Sequence, residues 1–324
     1  MKPIAFGALM TIFAASGPGA AQDFSMGVPI DCDLTETCFI QQYVDHDTSG
    51  EAMDFQCSSL SYDTHQGTDF ALKSIEHMRR GVDVIASAPG VVKGTRNGME
   101  DRIYRRGEGD RVNGRECGNG VLIDHGDGWT TQYCHLKRGS VQVRTDDTVE
   151  KGAVLGEVGL SGRTQFPHVH VTLRKDGDVV DPFDPDGEIT CGQPSTQTLW
   201  DTPLTYQPGG VLTVGFADKV PEFNTIKAGT AAVRELPVDA PAIVVFGYAF
   251  GGKAGDMMQL RIDGPDGTLI DGEVEIDRNQ AQFFRASGRR LSAAQWPAGS
   301  YTGTVVLRRD GVEISRNTGT VVVR

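Results

Sequence analysis

Long apolar runs are scarce in this sequence of 324 residues. One lies at the start, from Ile4 to Ala15, well short of the roughly 20 apolar residues that a helix needs to cross a bilayer. No later segment is long and apolar enough either. An excess of positive charge is also missing: the formal net charge is -12. A nucleic-acid partner needs a basic face to neutralise phosphates, so the balance argues against that class. Metal-knuckle cysteine spacing is absent. None of Cys32, Cys38, Cys57, Cys117, Cys134 and Cys191 forms a Cys-x-x-Cys pair, which sets aside a structural zinc knuckle. Histidine is rare, with 7 in the chain, so a concentration of it in a few segments carries weight.

What is present begins with Lys2, the apolar run, and then Ser16-Gly17-Pro18-Gly19-Ala20-Ala21. That order reads as a secretory signal peptide over 1–21, cleaved after Ala21 or, failing that, after Ala20. The expectation is a periplasmic or secreted protein with no stable membrane insertion after cleavage. An even number of cysteines in an exported chain suggests disulfides. Six cysteines allow 15 connectivities. The expected set is Cys32–Cys38 as a local loop, Cys117–Cys134 across a hairpin, and Cys57–Cys191 tying together the ends of a domain.

The chain divides into five parts on pattern. After the signal peptide, 22–61 looks irregular and held by cysteines. From 62 to 192 the pattern is dense in short strands. Residues 120–125 and 129–135 are separated by Gly126-Asp127-Gly128, a strong hairpin signal. Further strands are expected at 82–86, 90–93, 154–158 and 169–173, the last turning at Lys175-Asp176-Gly177 onto Val179-Val180. Only 72–80 reads as a helix. Residues 193–210 look like a linker. From 211 to 324 about seven short strands separated by turns suggest an immunoglobulin-like β-sandwich. The expected fold class is mainly all-β: an antiparallel sheet domain followed by a sandwich.

Four of the 7 histidines fall in three segments. His65 and Asp69 offer a nitrogen and a carboxylate four residues apart, with Gly67 between them to permit a kink. His168 and His170 are two apart, and on a strand alternate residues share a face. Val169, Val171 and Leu173 then fill the opposite, buried face, and both histidines point into one cavity. His135, in Tyr133-Cys134-His135-Leu136, lies between the two pairs in sequence. A catalytic zinc takes three nitrogen or oxygen ligands and keeps one position open for water. A lone His-x-His is more often structural, so the combination carries the argument. His46, His77 and His125 lack such partners and read as surface or satisfied structural residues. The stretch from Gly94 to Cys117 holds Arg96, Arg102, Arg105, Arg106, Arg111 and Arg115 among acidic residues. It reads as a solvated loop or as a groove wall that meets substrate carboxylates. Asn119, between Gly118 and Gly120, reads as a turn residue tolerating a left-handed conformation, although a place at the cleft border stays open.

The segments His65-Gln66-Gly67-Thr68-Asp69, Gly118-Asn119-Gly120-Val121 through His135-Leu136, Gly156 to Gly162, and Pro167-His168-Val169-His170 resemble the lysostaphin/LytM family of peptidoglycan endopeptidases. The resemblance covers about Tyr62 to Phe183 and neither the N-terminal cysteine segment nor the C-terminal part. It implies a zinc metallopeptidase domain at 62–192, with one Zn2+ per chain held by His65, Asp69 and His170. It further implies His168 as general base and His135 as a second catalytic histidine, with peptidoglycan peptides as substrate. The arginine-bearing stretch and the cysteines depart from the family pattern. A reading of a different class remains: a non-catalytic cell-wall-binding or amidase-regulating module. In either case the C-terminal domain could dock a protein partner.

Overall fold

The computed structural model describes residues 24–189, 191–192 and 197–324. The expected signal peptide and residues 193–196 of the expected linker lie outside them. Among the described residues no helix is long and apolar enough to cross a membrane.

The first half opens with strands β1 (Cys38–Gln42) and β2 (Thr68–Leu72), then helix α1 (Ile75–Arg80). Strands β3 (Asp83–Ile85) and β4 (Gly90–Arg96) follow, then the short helix α2 (Gly109–Val112). Strands β5 (Asn119–Gly126), β6 (Trp129–Leu136), β7 (Thr148–Val149), β8 (Val154–Glu157), β9 (His168–Lys175) and β10 (Asp178–Val180) complete it. The main sheet runs β1-β2-β9-β6-β5-β4-β7, with β10 also paired to β9, and β3 with β8 forms a separate pair. All of these pairings are antiparallel.

The local chemistry explains the elements. The β5–β6 turn places Gly126, Asp127 and Gly128 all at positive φ, where glycine and aspartate are the tolerated residues. On β9, Val169, Val171 and Leu173 are buried in the core beneath the sheet. Helix α1 starts later than the sequence pattern predicts. Leu72 closes β2, and Ser74 caps the helix by accepting from the His77 backbone N–H, so strand pairing with Pro167 overrides helical periodicity at 72–74.

The segment 22–61, expected to be irregular, contributes β1 at the edge of the main sheet. Met26, Ile30, Tyr43, Phe55 and Leu60 belong to the same core as the strands. The side chain of Tyr43 packs edge-on against Phe55 and Phe183. The described part of the expected linker is docked. Trp200 is buried, Tyr206 donates to Asp54 at 2.8 Å, and Gln207 accepts from the Ile40 N–H at 2.8 Å. The three disulfides are Cys32–Cys38, Cys57–Cys191 and Cys117–Cys134.

The second half holds β11 (Gly210–Ala217), helix α3 (Phe223–Ala228), β12 (Glu235–Leu236), β13 (Ala242–Gly252) and β14 (Met257–Gly264). It ends with β15 (Gly267–Glu275), β16 (Gln280–Arg290), β17 (Gly299–Arg309) and β18 (Val312–Val323). Sheets β11-β13-β16 and β12-β18-β17-β14-β15 face each other across a core that includes Phe216, Ile243, Val245, Leu260, Phe283, Val305 and Leu307. Apart from β12, these strands are longer than the short ones the turn spacing suggested.

Strand β13 is buried along its whole length. Ile243, Val245 and Ala249 point into the sandwich core. Phe246, Tyr248 and Phe250 join a separate cluster with Phe39 of β1 and Ala71 of β2. Period-2 alternation therefore glues the sandwich to the first sheet through the opposite face of one strand.

Candidate metal centre

Strand pairing assembles the site. Asp69 on β2 lies opposite His170 on β9, and Ala71 lies opposite His168. His65 enters from the loop before β2, and His135 sits near the end of β6, next to the residue paired with His170. The first four sites predicted from sequence converge: the Asp69 carboxylate oxygen lies 3.2 Å from His65 Nε2, 2.8 Å from His170 Nδ1 and 3.4 Å from His168 Nε2. His65 Nε2 and His170 Nδ1 are 3.1 Å apart. The His135 ring centroid is 4.7 Å from that of His168. Asp69, His65, His168 and His135 are buried, and His170 is the most open of the five.

The rear nitrogen of every ring is held. His65 Nδ1–H donates to the Tyr43 carbonyl at 2.6 Å, His135 Nδ1–H to Ser161 O at 2.8 Å, and His168 Nδ1–H to Phe166 O at 2.9 Å. Carbonyl oxygens only accept, so these three nitrogens carry the protons and the Nε2 atoms face the centre as lone pairs. His170 is reversed: its Nε2 meets Thr172 Oγ1 at 3.0 Å and its Nδ1 faces inward. Two neutral nitrogens facing each other at 3.1 Å beside a carboxylate repel unless a cation lies between them. Tetrahedral zinc with bonds of about 2.0–2.1 Å separates its ligands by roughly 3.3 Å, close to the spacing of His65, Asp69 and His170. The donor set therefore fits a zinc-sized cation, with His135 and His168 outside the ligand group.

The electrostatics separate the four rings. Burial lowers His168, with Asp69 opposing it only in part. Burial, then the neighbouring His168 and His170, hold His135 well below the ordinary histidine value. Burial likewise lowers His170. For His65 burial is the largest influence and works downward, but the charge and hydrogen bond of Asp69, the Tyr43 carbonyl and the Asp45 charge together outweigh it and the net shift is upward. Burial would raise Asp69, yet its interactions with His168 and His65 and its hydrogen bonds with His170 and His65 together outweigh that and hold it well below the ordinary carboxylate value. A bound cation favours neutral histidine at all four positions, which reverses the His65 shift.

Backbone details fix the site. Gly67 is required by close approach: a Cβ there would lie 2.5 Å from Val171 O and 2.7 Å from His170 Nε2. His135 has φ +66°, uncommon for a residue with a side chain. Its N–H donates to Cys117 O at 2.8 Å, and Cys117 is bonded to the preceding residue, Cys134. Gly118 at φ +68° approaches Ser161 so closely that a Cβ would lie 2.5 Å from Ser161 O, the acceptor of His135.

Other predicted residues divide. Asn119 is not a left-handed turn residue. It is fully buried at the start of β5, where its side chain accepts from Met99 N–H and donates to the Met99 and Leu136 carbonyls. Gly118 takes the positive φ in its place. In the arginine stretch Arg102 and Arg111 pair with Glu108. Arg96 donates to Gly118 O and lines a cleft of about 220 Å³ with Cys117, Leu122 and Gln132. His46 pairs with Asp181, and His125 bonds Pro89 O and Thr131, away from the centre. Sequence reasoning did not find Tyr43, Ser161, Thr164, Phe166 or Thr172. Thr172 carried a signal, being the next residue on the same face of β9; Tyr43, Ser161 and Phe166 act through backbone carbonyls, which leave no residue-type trace.

Residues 63–182 match the model of Peptidase family M23. The DD-carboxypeptidase/endopeptidase Mpg of Neisseria meningitidis is 33% identical over 120 residues, 36% of this chain and 22% of that protein. The peptidoglycan DD-endopeptidase ShyA of Vibrio cholerae is 35% identical over 109 residues, 34% of this chain and 20% of that one. The chain thus spans about a fifth of the length of these relatives. Among solved structures, the catalytic domain of the prophage-encoded M23 protein EnpA from Enterococcus faecalis is 23% identical, with 97% of that chain and 54% of this one covered at a TM-score of 0.30.

Proposed function

We propose that this chain, whose residues 63–182 match the model of Peptidase family M23, is an exported zinc metalloendopeptidase that hydrolyses peptide bonds in peptidoglycan cross-links or stem peptides. The observation that carries the reading is the inward convergence of His65 Nε2, His170 Nδ1 and the Asp69 carboxylate, each ring locked from behind. His65, Asp69 and His170 would hold the ion, which when bound lowers the pKa of a water to near 7 and polarises a carbonyl.

The other two histidines move protons. His168 presents a neutral Nε2, held by the Phe166 carbonyl on the far side of the ring. It accepts the proton of the attacking water and returns it to the leaving amine. His135 in its neutral form also presents a lone pair, since its N–H is committed to Ser161 O. With that tautomer it orients the attacking water by accepting a hydrogen bond from it. The peptidoglycan assignment is supported by the named activities of Mpg and ShyA. Export is supported by the signal-like leader and the three disulfides.

The test is digestion of purified sacculi with metal analysis. The intact protein is expected to carry one zinc and release soluble muropeptides, and His168→Ala to keep the metal but lose release. Full activity in His168→Ala overturns the mechanism. Absence of zinc affinity overturns the enzyme reading and favours a non-catalytic wall-binding module.

A further inference from the structure

The histidine proposed as base is connected physically to the C-terminal sandwich. Phe166 makes two contacts with His168. Its carbonyl accepts the Nδ1–H at 2.9 Å, and its ring stacks on the imidazole at 4.4 Å between centroids with 29° between planes. Thr164 Oγ1 donates to the same carbonyl at 2.7 Å, which fixes the turn. The Phe166 ring is also packed against the cluster formed by Phe39, Ala71, Leu212, Ile226, Phe246, Tyr248 and Phe250. Five of those seven residues belong to the sandwich half. Phe223 of α3 joins the same cluster, stacking on Phe284 and meeting Tyr248 edge-on.

We propose that Phe166 is a positioning residue, and that the sandwich acts through it as the back wall of the active site. An imidazole can rotate about its side-chain bonds. Hydrogen-bond partners at Nδ1, the Phe166 carbonyl and Thr164 Oγ1 at 3.1 Å, hold one edge of the ring, whereas a ring stacked on its face restrains both the tilt and the position of Nε2. The stacked ring needs its own support, and the residues supplying it come mostly from β11, β13 and α3. The sandwich is then part of the catalytic apparatus rather than a spacer. This rests on the reading of His168 as the base, so the test has one arm that does not depend on activity.

In the full chain, Phe166→Ala is expected to lower kcat about tenfold or more on a defined muropeptide with KM within about twofold. Zinc content should be unchanged, and Phe166→Tyr should restore kcat to within about twofold. Phe223→Ala, remote from the chemistry, is expected to lower kcat in the same direction by a smaller factor. Imidazole NMR supplies the second arm: the His168 ring signals should shift in Phe166→Ala and Phe223→Ala while those of His46 and His125 hold. Thermal unfolding confirms that each variant is folded at the assay temperature; if Phe166→Ala is not, Phe166→Leu takes its place. Unchanged His168 signals together with unchanged kcat overturn the proposal. His168 signals that shift in the variants, when the unmodified protein itself cleaves nothing, would overturn the enzyme reading while upholding the positioning contact.

Discussion

Thr172 illustrates how much of the proposed metal site depends on groups outside the ligand set. Its hydroxyl lies 3.0 Å from His170 Nε2 and accepts the rear N–H when Nδ1 ligates a cation. Removing such a partner typically weakens metal binding about 10- to 100-fold, so Thr172→Val is expected to raise the zinc dissociation constant by that order, read by competition with a chelator. The two proposed catalytic histidines give a pH prediction. Burial lowers His168, and burial with its histidine neighbours lowers His135 well below the ordinary value. Both must be neutral to accept a proton, so activity is lost only as pH falls through these lowered values. The acidic limb of kcat/KM should therefore lie below about 6.5, and a bound cation pushes it in the same direction. A limb at or above that value contradicts the assignment. The convergence of His65, Asp69, His135, His168 and His170 was readable because their types and spacing are chemical. Asn119 was misread because a Gly-Asn-Gly string signals a turn, and nothing in one sequence announces that Met99 and Leu136 will need its amide.

At the level of elements, the hairpin of β5 and β6 was legible because its turn is local and chemically marked by Gly126-Asp127-Gly128. Strand β1 was not, because its pairing with β2 depends on a partner about thirty residues on and its sequence lacks alternation. The disulfides differ in what they close. Cys57–Cys191 spans a sequence separation of 134, against 6 for Cys32–Cys38. In the chain-entropy model these amount to about 5 and about 2 kcal/mol respectively. Replacing both Cys57 and Cys191 by serine should lower the denaturant midpoint more than the same change at Cys32 and Cys38. An equal or smaller loss would show that the docked segments around Tyr43 and Trp200 already restrain the ends. Cys117–Cys134 works on a shorter range, since it flanks the left-handed His135 and the carbonyl that holds its N–H.

For the whole molecule, the shared cluster around Phe39, Phe246 and Phe250 decides whether the halves behave separately. Phe39 and Phe250 meet at 4.5 Å between ring centroids across the boundary. Truncating a buried phenylalanine costs about 3–5 kcal/mol, here drawn from contacts that belong to both halves. Calorimetry of the intact chain is expected to show one transition, and Phe250→Ala to lower it or split it in two. Two well-separated transitions in the unmodified protein would mean that the cluster does not couple them. Sequence pattern divided the chain at a linker and read two units. The clue to their union was the unbroken apolar run of β13, which can satisfy both of its faces only if something covers the outer one.

The rear anchoring of the four imidazoles has a consequence for how the protein is made. Tyr43 O, Ser161 O, Phe166 O and Thr172 Oγ1 are supplied by the folded chain alone. A finished socket of this kind is filled after the chain has folded, and emptying it leaves the walls standing. Stripping the ion with a chelator should silence the protein without unfolding it, and adding zinc back should revive it on the time scale of binding, with no refolding phase.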